Sequence, residues 1–242
     1  MNMKVYAATH IGLVRLKNQD AYYAPKPGES FAVVADGMGG HLAGEIASKL
    51  AIKEFVRWLK CAPLPSEDTM RRAVIEANLA INREARKNSK YAGMGTTLTA
   101  LWFGENVVYL AHVGDSRAYL FRNGALMQLS RDHSLVGEML ERGQITSQEA
   151  MVHPQRHYIT RALGTDTAVE PDTVRLNYRP GDVWLLCSDG MTNHVRSMEM
   201  AEILLMPVSW EARVDTLVKT ALKRGGTDNI TVLVAMGEEV AT

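Results

Sequence analysis

The sequence predicts an α+β fold in which two antiparallel β-sheets pack face to face with helices outside them. Short apolar runs rich in Val, Leu, Tyr and Thr alternate with longer amphipathic segments. Residues 96–129 hold several strand candidates in close succession, which leaves no room for crossover helices. The helical segments lie between separated groups of strands, and this order favours sheets covered by helices.

Nine segments have the composition and the turn boundaries of strands. They are residues 3–9, 31–35, 96–103, 107–113, 117–121, 125–129, 173–177, 183–187 and 230–236. Asn123-Gly124 is the strongest hairpin signal, because both central positions of such a turn can adopt positive φ. We expect residues 96–129 to form an antiparallel meander.

Four segments have helical spacing of their apolar residues, at 44–60, 67–89, 135–142 and 210–224. Ser66 and Ser209 stand where N-caps are expected, and Gly225-Gly226 stands where the last helix should end. The apolar stripes of these helices are typical of faces that pack on a core.

The chain has 242 residues, of which 46% are hydrophobic and 22% charged. Folding a chain of this length buries roughly 70% of its surface, so the core needs no disulfide or metal to stabilise it. The Pro-Leu-Pro stretch at 63–65 is too short to separate two domains. We therefore expect a single domain spanning residues 1–242.

The charge balance disfavours two classes of partner. The 27 basic and 27 acidic residues cancel, which disfavours binding to nucleic acid or to anionic membranes. No apolar stretch approaches the roughly 18 residues of a membrane span, and no leader segment is evident. Two cysteines are too few for a disulfide framework and suggest a reducing compartment. We expect a cytoplasmic protein without membrane insertion.

Five aspartates lie at the ends of predicted strands or in the turns beside them: Asp20, Asp36, Asp115, Asp189 and Asp228. A single aspartate at such a position is typical of a turn or a cap. As a set they are more informative. If Asp36 and Asp189 end neighbouring strands, their carboxylates meet at one edge and repel each other unless a cation compensates. Oxygen ligands of this kind select Mg²⁺ or Mn²⁺.

Other chemistries lack their motifs. The sequence contains neither a nucleotide P-loop nor a hydrolase nucleophile elbow, and residues 37–39 are not followed by the third glycine of a dinucleotide fold. Neither cysteine is followed by the arginine of a cysteine-based phosphatase loop. His153 and His157 have the spacing of zinc ligands on a helix, but Pro154 disfavours a helix there.

Six short motifs together resemble one family, the metal-dependent Ser/Thr protein phosphatases of the protein phosphatase 2C group. The D-G-M-G-G-H form of the second motif is similar to the bacterial branch. In chain order the motifs are R-L-K-N-Q-D (15–20), V-A-D-G-M-G-G-H (34–41), M-G-T-T (94–97), H-V-G-D-S-R (112–117), C-S-D-G-M-T (187–192) and G-T-D-N-I-T (226–231).

This resemblance implies an α-β-β-α sandwich and a site with two divalent ions. Asp36 would bridge the ions, and the backbone carbonyl of Gly37 would bind one of them. Asp189 and Asp228 would complete the ligands of the other ion. Asp20 would act through a metal-bound water.

Two further roles follow from the same resemblance. Asp115 corresponds to the ligand of a third, weaker ion, and Arg15 corresponds to the clamp of the substrate phosphate. A guanidinium suits that role because it donates two parallel hydrogen bonds to phosphate oxygens.

The sequence also departs from the animal members of the family at two positions. Met38 replaces a histidine proposed there as the general acid. We expect water to protonate the leaving group instead, with His41 or another residue as the alternative. Gln19 replaces a glutamate, and the loss of this charge predicts weaker metal affinity.

The implied activity is hydrolysis of phosphoserine and phosphothreonine by a hydroxide held between two Mn²⁺ or Mg²⁺ ions, with a possible third ion. The implied partners are phosphorylated proteins, among them a Ser/Thr kinase and its substrates, and we expect a monomer. Two alternatives stay open, namely an inactive metal-binding scaffold of the same fold and a phosphatase for small metabolites.

Residues 134–157 correspond to the flap that bacterial members carry beside the cleft. Their mixture of glycines and charged residues fits a mobile lid and an ordinary pair of surface helices equally well.

Overall fold

The computed structural model describes residues 3–39 and 43–237. Its strands are β1 (Met3–His10), β2 (Asp20–Tyr23), β3 (Phe31–Met38), β4 (Gly95–Thr96), β5 (Leu98–Phe103), β6 (Val107–Val113), β7 (Arg117–Arg122), β8 (Ala125–Gln128), β9 (Asp172–Asn177), β10 (Val183–Cys187) and β11 (Ile230–Gly237). Its α-helices are α1 (Ala43–Cys61), α2 (Glu67–Lys87), α3 (Leu135–Glu141), α4 (Ser147–Val152), α5 (Asp189–Thr192), α6 (Ser197–Leu204) and α7 (Trp210–Lys223).

The strands form two antiparallel sheets. Sheet A has the order β1-β11-β10-β7-β8, and sheet B has the order β2-β3-β5-β6-β9, with β4 paired to β3. The central strands are buried on both faces, which explains why they read as continuous apolar runs. In β3, Phe31, Val33 and Ala35 face one cluster, whereas Ala32 and Val34 face another.

The layers follow from these two faces. One face of sheet B packs on α1 and α2 around Phe55 and Met70. One face of sheet A packs on α6 and α7 around Met200 and Leu217. Residues from both sheets, including the buried Trp184, fill the space between them. The predicted α-β-β-α sandwich is therefore confirmed.

Local signals in the sequence were also correct. The side chains of Ser66 and Ser209 accept hydrogen bonds from the amides of Thr69 and Ala212, at 3.1 and 3.3 Å, and so cap α2 and α7. Asn123-Gly124 joins β7 to β8, with φ angles of 54° and 78°.

The predicted meander is wrong at its centre. β5 pairs with β6 in sheet B and β7 pairs with β8 in sheet A, so β6 and β7 are not neighbours. The chain crosses from one sheet to the other at Gly114–Ser116, where Gly114 has a φ of 112°. Strands that are buried on both faces carry no alternation of polar residues that would indicate their sheet.

Several short elements were not predicted, namely β2, α4, α5 and α6. The predicted strand 96–103 is divided into β4 and β5 by Thr97. The Thr97 side chain accepts the amide hydrogen of Asp36 at 2.9 Å, and this bond interrupts the regular ladder. Elements of four to eight residues carry too few periodic positions to be recognised.

Residues 134–157 form two short helices, α3 and α4, on the surface. An antiparallel bridge between Ser134 and Ile159 closes the base of this flap segment. Within the described ranges, no helix is both long and apolar enough to cross a membrane.

Candidate metal centre

Asp36 and Asp20 lie opposite each other at one end of sheet B. They are paired residues on β3 and β2, so Asp20 opens a strand that the sequence did not predict. The buried Asp20 accepts two short hydrogen bonds at Oδ2, from Ser188 Oγ and Thr231 Oγ1, both at 2.7 Å. Thr231 lies in β11 of sheet A, and Ser188 directly follows β10 of the same sheet. Asp20 therefore ties the two sheets together beside Asp36.

Asp189 reaches the same place from the other sheet. It follows β10 and is the first residue of α5, where its Oδ2 accepts a hydrogen bond from Asn193 Nδ2 at 3.0 Å. Asp36 and Asp189 thus come from opposite sheets, Asp36 from β3 of sheet B and Asp189 from the segment that follows β10 of sheet A. The two carboxyls still meet, because the ends of both sheets converge here.

The pKa values of Asp20, Asp36 and Asp189 are all raised, by burial and by the charges of neighbouring carboxylates. Burial, with the negative charges of Asp20 and Asp189, raises the pKa of Asp36 well above its ordinary value. Burial raises the pKa of Asp20 to about 7, although the hydrogen bonds from Thr231 and Ser188 oppose this shift. Burial and the charge of Asp228 raise the pKa of Asp189. Carboxylates gathered in this way favour a bound cation.

Asp115 belongs to the same group of charges. It lies in the turn by which the chain crosses between the sheets, and it is buried. Burial and the charge of Asp189 raise its pKa well above the ordinary value.

Buried carboxylate oxygens without partners test whether these residues suit a metal ion. Among the described residues, five buried side-chain polar atoms have no hydrogen-bond partner, and three of them are carboxylate oxygens, Oδ1 of Asp20, Asp115 and Asp189. An unpaired buried carboxylate oxygen is costly unless a cation contacts it. All three side chains belong to the predicted site, and hard divalent ions prefer such oxygens. The donor set therefore fits Mg²⁺ or Mn²⁺.

The side chains do not yet stand in coordination geometry. Within residues 3–39 and 43–237, no three acidic, histidine or cysteine side chains form a ready-made ligand set. Asp228 instead turns to Arg15, with 2.6 Å between its Oδ2 and Arg15 Nη2. The individual ligand roles stay predictions.

Arg15 projects from a loop, residues 11–19, that is fixed by hydrogen bonds to Asn229 and Gly226. Asn229 donates its side-chain amide to the carbonyls of Ile11 and Lys17, each at 2.9 Å, and accepts the amide hydrogen of Gln19 at 2.8 Å. The amide of Leu13 also donates to the carbonyl of Gly226 at 2.7 Å. These bonds place the Arg15 guanidinium beside Asp228.

Gly37 lies where the backbone is too crowded for any side chain. A Cβ atom at Gly37 would lie 2.1 Å from the carbonyl oxygen of Gly44 and 2.7 Å from that of Gln19. The D-G pair therefore permits close packing of β3 against the start of α1. Whether its carbonyl binds a metal stays a prediction.

The M-G-T-T motif positions Asp36. Thr96 Oγ1 donates to the carbonyl of Asp36 at 2.9 Å, and the amide of Thr97 donates to the same carbonyl at 2.9 Å. Thr97 Oγ1 also contacts Ser116 Oγ at 2.8 Å, which links Asp36 to the crossing turn.

Sequence reasoning missed the residues that hold the aspartates in place: Thr97, Ser188, Asn229 and Thr231. They lie inside the motifs, but their partners are distant in sequence. Met38 pairs with Gly95 beside the site. Gly40 and the alternative acid His41 lie outside the described residues.

Comparison with known proteins gives one consistent answer. The family model described as protein phosphatase 2C matches residues 10–230. A serine/threonine phosphatase (stp) of Listeria monocytogenes is 40% identical over 232 residues, covering 93% of this chain and 92% of that protein.

Solved structures agree with the sequence matches. The serine/threonine phosphatase PstP/Ppp of Mycobacterium tuberculosis superposes with a TM-score of 0.91 at 40% identity, covering 98% of this chain and 99% of that one. The catalytic domain of a serine/threonine protein phosphatase PstP, solved with two manganese ions, gives a TM-score of 0.87 at 39% identity. The match covers 96% of this chain and 97% of that one. With its six motifs and its gathered carboxylates, this chain belongs to the protein phosphatase 2C family.

Proposed function

We propose that this protein is a metal-dependent phosphatase that removes phosphate from phosphoserine and phosphothreonine in proteins. The observation that carries the proposal is the meeting of Asp20, Asp36, Asp115 and Asp189 at the converging ends of two sheets, with unpaired carboxylate oxygens. The similarity to proteins named as serine/threonine phosphatases supports the same activity.

The aspartates would hold two Mn²⁺ or Mg²⁺ ions. Asp36 would bridge them, the Gly37 carbonyl would bind one, and Asp189 and Asp228 would bind the other. Asp20 would orient a water in the ions' shell. When bound, two such ions lower the pKa of a shared water and supply a hydroxide near neutral pH.

A third ion, with Asp115 as its ligand, belongs to the same proposal. The support for it is the unpaired Oδ1 of Asp115 and the effect of Asp189 on its pKa.

Arg15 would orient the phosphate for attack. Its side chain is 53% exposed and pairs with Asp228, which is 27% exposed. An arriving phosphate can therefore take up the free donors of the guanidinium. Met38 has no ionisable proton, so the leaving serine or threonine oxygen would take its proton from water.

The remaining features of the proposal concern the setting of the enzyme. We infer one catalytic domain over residues 1–242, acting as a monomer in the cytoplasm. Its substrates would be phosphorylated proteins, including a Ser/Thr kinase and the targets of that kinase.

The test is hydrolysis of a phosphothreonine peptide and of para-nitrophenyl phosphate in Mn²⁺. We expect turnover that EDTA abolishes and that Asp36→Asn lowers by at least about a hundredfold, since the bridging charge is lost. Asp68→Asn, at an exposed position in the first turn of α2, is the matched control and should keep full activity. Equal turnover by the metal-free protein would refute the proposal.

The hydrolysis assay, together with a calorimetric titration of Mn²⁺, separates the alternatives. An inactive scaffold would bind Mn²⁺ in a calorimetric titration but hydrolyse neither substrate. A metabolite phosphatase would hydrolyse sugar phosphates with a higher kcat/KM than phosphopeptides.

A further inference from the structure

We propose that His133 is a positioning residue for the carboxylate of Asp115. It would fix the crossing turn Gly114–Ser116 and thereby set the geometry of the weakest metal-binding step. This inference rests on the proposed function only in taking Asp115 as a metal ligand.

His133 makes two hydrogen bonds to the backbone of Gly114, one through its side chain and one through its own amide. The amide of Gly114 donates to His133 Nδ1 at 3.1 Å, and the amide of His133 donates to the carbonyl of Gly114 at 2.7 Å. The histidine side chain is buried, which shields the first of these bonds from solvent. One residue thus holds both backbone polar groups of Gly114, the residue that precedes Asp115.

The His133 ring is held on both sides, by Gly114 at Nδ1 and by Asp172 and Arg161 at Nε2. A backbone N–H can only donate, so Nδ1 must accept the bond from Gly114. Nε2, on the other side of the ring, lies 3.3 Å from Asp172 Oδ2 and 3.1 Å from Arg161 Nη1. Arg161 Nη1 donates to Asp172 Oδ1 at 3.2 Å and completes this arrangement. Asp172 keeps the imidazole oriented, so that Nδ1 stays directed at Gly114.

The other end of the turn is held independently. Ser116 Oγ contacts Thr97 Oγ1 at 2.8 Å, and Thr99 Oγ1 donates to the carbonyl of Ser116 at 3.1 Å. A Cβ atom at Gly114 would lie 2.5 Å from Thr97 Cγ2, so this turn is packed tightly as well. Asp115 stands between two anchored residues while its own Oδ1 has no partner among the described residues. Its carboxylate is therefore aimed by the backbone, and His133 supplies the anchor at Gly114.

His133 also belongs to the base of the flap segment. Its carbonyl accepts the amide hydrogen of Thr160 at 2.8 Å, and the neighbouring Ser134 bridges to Ile159. The turn that carries Asp115 is thus anchored to the part of the chain where the flap segment starts and ends.

The test compares His133→Asn with His133→Leu. Asn Oδ1 takes nearly the place of His Nδ1 and can accept the Gly114 amide, whereas Leu has a similar shape and cannot accept. The readout is Mn²⁺ binding to the otherwise intact protein, followed by calorimetry and by electron paramagnetic resonance of the free ion. Thermal unfolding of each variant checks that it folds.

We expect the wild type to show a weak binding step that Asp115→Asn removes. His133→Leu should weaken this step at least tenfold, and His133→Asn should stay within about threefold of the wild type. In the Asp115→Asn background, His133→Leu should leave the tighter steps as they are in Asp115→Asn alone. A merely structural histidine would affect all steps together.

Three results would overturn the inference. The weak step could be unaffected in His133→Leu, it could be equally impaired in His133→Asn and His133→Leu, or it could persist in Asp115→Asn. In all three cases, turnover and tight Mn²⁺ binding by the wild type would leave the proposed phosphatase standing. Absence of both would refute the phosphatase itself.

Discussion

Arg15 is the residue at which a contribution to activity separates most clearly from a contribution to stability. Its ion pair with Asp228 is short, at 2.6 Å, but the arginine side chain is 53% exposed. Exposed pairs of this kind add only about 0–1 kcal/mol to the free energy of unfolding. The loop below Arg15 is held by Asn229 and by Gly226, so it does not depend on the guanidinium.

We therefore predict that Arg15→Ala lowers kcat/KM for a phosphopeptide about ten- to a hundredfold, the value of charged hydrogen bonds to phosphate. The melting temperature should change by no more than a few degrees. Arg15→Lys should recover part of the loss, since an ammonium keeps the charge but not the fork. Steady-state kinetics and thermal scans measure both quantities. A large fall in melting temperature with little kinetic effect would contradict this account.

At the residue scale, the sequence predicted the charged groups better than the groups that support them. Asp36, Asp115 and Asp189 could be singled out because strand ends and neighbouring glycines mark them. Ser188 and Thr231 could not, because their hydroxyls are functional only through Asp20, more than a hundred and fifty residues away. Nothing local in a sequence indicates such a partner.

At the scale of elements, burial periodicity predicted where strands lie but not which sheet they join. β6 and β7 are adjacent in sequence and both are buried, yet they belong to different sheets. The predicted meander is wrong there because a turn that contains glycine can either close a hairpin or carry the chain from one sheet to the other. The crossing matters for function, since it carries Asp115 to the site.

His112, near the end of β6, makes this crossing sensitive to pH. Its Nε2 donates to the carbonyl of Arg131 at 2.8 Å, and its Nδ1 contacts Thr99 Oγ1 at 2.9 Å. Burial, with the nearby His133, lowers the pKa of His112 to about 4. The unfolded chain therefore binds a proton more readily than the folded protein between about pH 6.5 and 4.

It follows that the stabilising effect of neutral His112 is complete above pH 6.5 and is lost as the pH falls toward 4. Between pH 7 and pH 4.5, the unfolding free energy of His112→Gln should rise by about 2 kcal/mol relative to that of the wild type. Gln keeps a donor for Arg131 but does not titrate. Denaturant titrations at several pH values measure the difference. Parallel pH profiles for the two proteins would contradict the assignment.

At the scale of the whole molecule, the sandwich brings acidic groups from both sheets to one end and keeps them there at an energetic cost. The raised pKa values of Asp20, Asp36 and Asp189 mean that the metal-free folded protein holds protons that the unfolded chain has released. Its stability should therefore fall as the pH rises from about 4 to about 7. Divalent ions should reverse this effect by neutralising the charges.

This balance predicts an unusual response to a single substitution. In EDTA at pH 8, Asp36→Asn should melt at a higher temperature than the wild type, because one buried like charge is removed. At pH 5 the difference should shrink, and in saturating Mn²⁺ the wild type should gain more than the variant. Differential scanning calorimetry with Asp68→Asn as control measures all three. A wild type that is the more stable protein in EDTA at pH 8 would count against the crowding of carboxylates.

The most direct measurement of the central claim is anomalous diffraction at the manganese edge from crystals of this protein grown in Mn²⁺. The account predicts two strong peaks between the converging ends of the sheets, both in contact with the Asp36 carboxylate, one of them shared with Asp189 and Asp228. Peaks only at other places on the surface, or a site that Asp36 does not touch, would contradict it.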